Sequence, residues 1–258
     1  MATIILRNTL TKILWDKPVR PCTFNFLQLY NFSTQSHIKE LSEDQPTLLV
    51  DPLKHPDFFQ IHNLFTVKDL YNARVHFGHK EGSVNQNMKP FIFGSRLGHL
   101  IINLDKTVEM LRDALNFAAH IAFREGVILF IGKNPRITYL IDKTAIECGE
   151  YSHTRTWKEG TLVNSVQEFK CITRLPDLII FINTMDGTIN QHLAVTHAAK
   201  MNIPTIGIVD TNCEPKLVTY PVPGNDDSYC SIKLYCWLFK EAILRGKRAK
   251  DLINKTNS

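Results

Sequence analysis

His76, His79, Lys80, Asn85, Gln86, Asn87 and Lys89 crowd one glycine-punctuated stretch of the chain, and Arg96 stands a short strand further on. Side chains of these types can ligate a metal, move protons in a reaction, or donate many hydrogen bonds to an anion. Turnover chemistry is poorly served, because Glu81 is the one acid in the stretch and has no second carboxylate near it. A metal site is no better supported. His76 and His79 are spaced to share a ligand on a helix, but Gly78 between them argues for a loop, and no acid or cysteine lies at ligand spacing. Imidazoles, amides and cations around a single carboxylate suit polar contacts to an extended anionic partner.

The elements that position this stretch can be read from apolar periodicity. Thr66 is a good N-cap for a short helix over 67–75. Phe91 to Phe93 predict a short aromatic strand broken at Gly94, followed by an apolar run over 100–103. Leu104, Val108, Leu111, Leu115, Ala118 and Ala122 recur at alternating four- and three-residue spacing, which predicts a long helix ended by Gly126. Val127 to Ile131 is a continuous apolar run, too short for most helices, and reads as a strand buried on both faces. The unit then recurs: a helix over 136–148, a strand over 178–182, a helix over 190–201, a strand over 205–209 and a short strand over 217–220. Asn225 caps a final helix with Ile232, Tyr235, Leu238 and Phe239 on its apolar face and a basic end. Strand, polar loop and helix in alternation imply βαβ units and a mostly parallel sheet between helical layers.

Loops after parallel strands gather at one sheet edge, the usual ligand site of α/β enzymes, and Lys133, Asp186, Asp210 and Asn212 belong there. The motifs of such enzymes are missing. Gly132-Lys133 lacks the earlier glycine of a phosphate-binding loop, where Val127 stands, and Asn134 replaces its Ser or Thr. No GxGxxG follows a strand, and GxSxG is absent.

The chain has 258 residues, a hydrophobic fraction of 44% and a net charge of +5, enough for a sizeable core and compatible with a polyanion partner. Its six cysteines form no CxxC pair and read as small buried hydrophobes in a reducing compartment. Residues 1–36 carry Arg7, Lys12, Lys17 and Arg20 against the single acid Asp16, beside an apolar helical face, which is the composition of a mitochondrial transit peptide. Residues 37–66 are broken by acids and prolines and read as a linker, residues 67–250 as the α/β domain, and 251–258 as a tail. No run reaches the length of a membrane span.

FGH at 77–79, MKPFIFGSR at 88–96, HLIINLDKTVEML at 99–111, LPDLIIFIN at 175–183, NIPTIGIVDTN at 202–212 and YPVPGNDD at 220–227 together resemble the family of small-subunit ribosomal protein two, in family order. With the transit-like start, the chain is similar to the mitochondrial form. The resemblance implies a flavodoxin-like three-layer sandwich with helices on both faces. It also implies a structural, non-enzymatic protein without cofactor, in the mitochondrial matrix, on the solvent side of the small subunit near the head–body junction. Its partners would be ribosomal RNA and neighbouring proteins, with no membrane and no homo-oligomer, and its role subunit assembly and mitochondrial translation. Bacterial members of the family it resembles carry a long helical hairpin between a tryptophan segment and the LPD strand. Here only about ten helical residues, roughly 162–172, separate Trp157 from Leu175, so the hairpin is reduced or absent.

A protein of this class needs cations and amides that meet phosphates and sugars. The candidates are His76, His79, Lys80, Asn85, Lys89, Arg96, Lys133, Arg136, Arg155, Lys158, Lys247 and Arg248, with no catalytic residue and no metal ligand. Two alternatives stand beside this reading: a nucleotide- or phosphate-ligand enzyme on the same parallel sheet, and a free RNA-binding or assembly factor outside the mature ribosome.

Overall fold

The computed structural model describes residues 52–257, apart from residues 56, 173, 188 and 189. The transit-like segment and Cys22 therefore lie outside the described residues.

Apolar runs with two buried faces build the sheet. Strands β4 (Ile128–Ile131), β5 (Tyr151–His153), β6 (Leu178–Phe181), β9 (Thr205–Val209) and β10 (Tyr220–Pro223) form one five-stranded sheet in the order β10-β9-β6-β4-β5. Every pairing in it is parallel. That order is the flavodoxin-like one, with its switch point between β4 and β6. Side chains alternate between two cores as a strand's two-residue period requires. Ile128, Phe130, Leu178, Ile180, Ile206 and Ile208 enter one core, and Ile131, Ile179 and Phe181 enter the other.

The first core is covered by α2 (Leu104–Phe123), α3 (Thr138–Cys148) and α6 (Tyr229–Asn257). The second is covered more thinly, by α5 (Leu193–Lys200), Leu162 just ahead of the short, exposed α4 (Ser165–Phe169), and Trp157, whose indole N–H donates to His197 Nδ1 at 3.2 Å. Helices α2 and α6 cross closely. A Cβ on Gly246 of α6 would lie 2.4 Å from the backbone oxygen of Ala119, so only glycine allows the contact, and Ala118, Ala119 and Ala122 present the small face it needs. Ahead of these, α1 (Val67–Asn72) starts at a capping box in which Thr66 and Asp69 satisfy each other's backbone N–H groups.

A second, three-stranded antiparallel sheet precedes α2: β1 (Phe77–Lys80), β2 (Ile92–Arg96) and β3 (His99–Ile102), in the order β1-β3-β2. Leu97 and Gly98 turn β2 into β3 with φ of 53° and 77°, the twist a two-residue hairpin demands.

Several boundaries differ from the sequence reading. Strand β2 runs through Gly94 to Arg96, because its ladder with β3 carries the backbone across the glycine. Residues 190 and 191, expected to be helical, form β8 (Asn190–Gln191), paired with β7 (Met185–Asp186). The last strand is Tyr220–Pro223 and not 217–220; Pro221 and Pro223 fit because β10 has a neighbour on one side only. Phe59, Ile61 and Phe65 are buried in the first core, so part of the expected linker packs with the domain. Helix α6 continues to Asn257, through the segment expected as a tail.

Candidate nucleic-acid interface

The stretch from His76 to Arg96 is held against the loop after β9. His79 N–H donates to Thr211 Oγ1 at 2.9 Å, and Asn85 N–H donates to the Thr211 carbonyl at 2.9 Å. The Asn85 and Asn87 side-chain amides both donate to the Glu214 carboxylate. Met88 is fully buried against Val209 and Cys213. The amides of this stretch thus mainly pin the loop, which leaves its cations facing outward.

At the carboxyl edge of the sheet the ends of β9 and β10 bring acids to His79. Its Nδ1 lies 3.2 Å from Asp210 Oδ2 and its Nε2 3.4 Å from Asp227 Oδ2. The hydrogen bond to buried Asp210 raises the imidazole to about 9, against the opposing effect of its own partial burial. Asp226 is buried beside these groups, and desolvation, with Asp210 and Asp227 nearby, pushes its carboxyl well above the usual carboxylate range. Asn183 Nδ2 donates to Asp226 Oδ2 at 3.3 Å. Ligand atoms of His79, Asp210 and Asp227 lie within 4.8 Å of one another, so this trio could take a divalent cation in place of the imidazole proton. The sequence reading gave His79 no acidic partner; the fold supplies two from the far end of the chain.

A folded-state value above the unfolded 6.5 means that the pair's contribution is complete below about pH 6.5 and is lost as pH rises through about 9. In chelator-treated protein, the stability difference between wild type and His79→Gln is expected to shrink by about 1–2 kcal/mol between pH 6 and 9.5, allowing for solvent screening. Urea unfolding at both pH values measures it, and a constant difference would rule the pair out as the cause.

A cleft of about 440 Å³ opens at the switch point between β4 and β6, lined by His79, Lys133, Asn183, Asp186, Asp226 and Asp227 among others. Lys133 is paired with Asp186. A phosphate entering here would meet the carboxylates of Asp186 and Asp227 and the buried carboxyl of Asp226, with Lys133 and His79 already committed to acids, the reverse of a phosphate cradle.

The twelve candidates divide accordingly. Lys80, Lys89 and Arg96 are exposed around the small sheet, with no carboxylate at salt-bridge distance among the described residues. His76 is half-buried and stacked on Tyr71, and burial holds its imidazole below the usual range. Arg136 and Arg155 are exposed after β4 and β5 at the carboxyl edge. Lys158 pairs with Glu168 at 3.3 Å. Lys247 is tied to Glu150 at 2.5 Å and to the Cys148 carbonyl at 2.6 Å, and with exposed Arg248 it lies at the opposite, amino edge of the sheet. The structure therefore groups His76, His79, Lys80, Asn85, Lys89 and Arg96, and does not join Lys247 and Arg248 to them.

Fold and site together define an α/β scaffold with a small antiparallel sheet that carries exposed cations at one end. The chain belongs to the family described as Ribosomal protein S2, which matches it over residues 70–168 and 164–246. It is accordingly a structural protein of the small ribosomal subunit and not an enzyme. It is 52% identical over 209 residues to the Bos taurus protein named Small ribosomal subunit protein uS2m, covering 81% of this chain and 71% of the relative. Against Small ribosomal subunit protein uS2 of Ehrlichia chaffeensis it is 33% identical over 231 residues, with 74% of this chain and 80% of the relative covered. The corresponding protein of Idiomarina loihiensis is 32% identical over 226 residues, with 72% and 93% covered. The Ehrlichia alignment is longer than the part of this chain it covers, so that relative carries residues missing here. The two family matches meet at α4, where the shortened hairpin was expected.

Proposed function

We propose that this protein works in the mitochondrial small ribosomal subunit, near the head–body junction, where it binds ribosomal RNA and neighbouring proteins and is needed for subunit assembly and mitochondrial translation. The supporting observation is the outward cationic group Lys80, Lys89 and Arg96 on the small sheet and its hydrogen-bonded loop, in a chain 52% identical over 209 residues to a uS2m protein. The basic, acid-poor residues 1–36 act as the import signal, and residues 67–250 form the ribosome-binding domain. Among the described residues no helix is long and apolar enough to cross a membrane. Partly neutralised cations such as Lys133 and Lys247 contribute less to phosphate binding than the free ones do.

The test is sedimentation of tagged full-length protein in a mitochondrial lysate. Comigration with the small subunit is expected, with the tag lost from free fractions. A tag that stays at the top of the gradient, or that marks only precursor particles, would favour the assembly-factor reading.

A further inference from the structure

The sheet β1-β3-β2 turns Leu100 and Ile102 inward, where both are buried. Its outer side carries two rows of residues set by strand register. Lys80, His99 and Arg96 lie opposite one another in the first row, and all three are exposed. Phe77, Ile101 and Gly94 lie opposite one another in the second. Phe77 is 46% exposed and continues a ladder of rings. The His76 ring is centred 4.3 Å from Phe77, and Tyr71, 61% exposed, stacks on His76 at 4.6 Å with 7° between planes. Gly94 completes the surface. A Cβ there would meet nothing within 4 Å, and its φ is not in the left-handed region, so neither crowding nor backbone conformation asks for glycine. What the missing side chain leaves is open space beside Ile101, across which Phe77 stands on the far strand.

We propose that this outer face is a stacking platform for an unpaired stretch of RNA, with bases on the Tyr71 and Phe77 rings and over the Ile101–Gly94 surface, and phosphates on Lys80, His99 and Arg96. This rests on the RNA-binding reading above and deepens it by fixing the strandedness of the RNA and the rings that touch it. Duplex RNA hides its base faces and offers only backbone and groove edges, so exposed rings gain nothing from it. Unpaired bases stack on aromatic side chains whatever their identity, and cations beside the rings track the backbone. The exposed Phe77 ring, one row away from Lys80, His99 and Arg96, matches that chemistry better than it matches an apolar protein surface.

The first test places a photoreactive benzoylphenylalanine at Phe77 in full-length protein assembled into the small subunit. Irradiation is expected to join it to RNA, at a nucleotide that chemical probing finds unpaired. A crosslink only to protein, only to a paired nucleotide, or to nothing overturns the platform. The second uses purified full-length protein with a short labelled oligoadenylate and an RNA duplex of equal length. Tyr71→Leu with Phe77→Leu is expected to weaken oligoadenylate binding about tenfold or more, to spare duplex binding, and to leave the salt slope unchanged. Gly94→Val, which fits the free protein, should weaken the same binding without lowering the melting temperature. Lys80→Gln with Arg96→Gln should lower the salt slope by about 1.4 for single-stranded RNA. If the slope falls while the leucine and valine variants bind like wild type, RNA binding stands and stacking is overturned. If wild type binds neither RNA and no crosslink to RNA forms, the RNA-binding reading falls with it.

Discussion

Replacing Phe130 by aspartate is expected to leave no cooperatively folded protein. Phe130 is fully buried in β4, between β5 and β6, and points into the core shared by α2, α3 and α6. Losing the ring alone costs about 3–5 kcal/mol. The new carboxylate must also lose its water or take up a proton, with no partner among those apolar neighbours, which adds several kcal/mol more. The sum is comparable to the whole margin of about 5–15 kcal/mol that holds a domain together. Circular dichroism and urea unfolding would show a flat, non-cooperative profile. Leu129→Asp is the contrast. Sequence alone makes Leu129 as much core as its neighbour, yet it is half-buried and lines an open groove with Trp157 and Phe169. That variant is expected to fold, with a lower urea midpoint. A Phe130→Asp protein that melts cooperatively would mean that this face of β4 is not core.

The difference between these adjacent residues shows where sequence reading works and where it stops. Strands β6 and β9 are buried along their whole length and β4 over all but half-buried Leu129, and apart from Thr205 and Gly207 their side chains are apolar, so these strands announce themselves as continuous apolar runs. Helix α2 is legible because it is covered on one stripe only, so its apolar residues keep the helical period. Strand β5 carries no such mark: Tyr151, Ser152 and His153 are a strand because β4 offers them a ladder. Strand β10 is hidden by its own prolines, which only its place at the sheet edge makes acceptable. The site divides in the same way. The cations and amides of 76–96 are visible as residue types, but whether a lysine is free depends on pairings made across the fold. Nothing local to Lys133 predicts Asp186, nothing local to Lys247 predicts Glu150, and nothing local to His79 predicts Asp210 and Asp227. Thr211 and Glu214 likewise become structural only once the loop of 76–96 lies against them.

Reversing Lys89 and Arg96 to glutamate is expected to block assembly while sparing the fold. Both side chains are exposed, and neither has a carboxylate at salt-bridge distance among the described residues, so the isolated protein loses no ion pair in the exchange. Its circular dichroism spectrum and melting temperature should stay close to wild type, since surface changes of this kind move stability by about half a kcal/mol or less. On RNA the consequence is different. Each cation within about 4 Å of a phosphate gains about 1 kcal/mol in water, and reversal turns that gain into a similar loss. Two such swings amount to about 4 kcal/mol, which salt with a screening length of about 8 Å reduces to a ten- to hundredfold loss of affinity, roughly. Incorporation into the small subunit, measured by sedimentation of tagged protein, should fall by about that order, and mitochondrial translation with it. Glu40→Lys with Glu43→Lys, in the acidic segment outside the described residues, is the matched control and should assemble normally. If the double reversal assembles as well as wild type, the loop and hairpin face solvent in the ribosome. Raised salt gives the same answer by an independent route: wild-type binding to RNA should weaken steeply between low and physiological salt, and the reversed protein, with fewer counterions to release, should respond less.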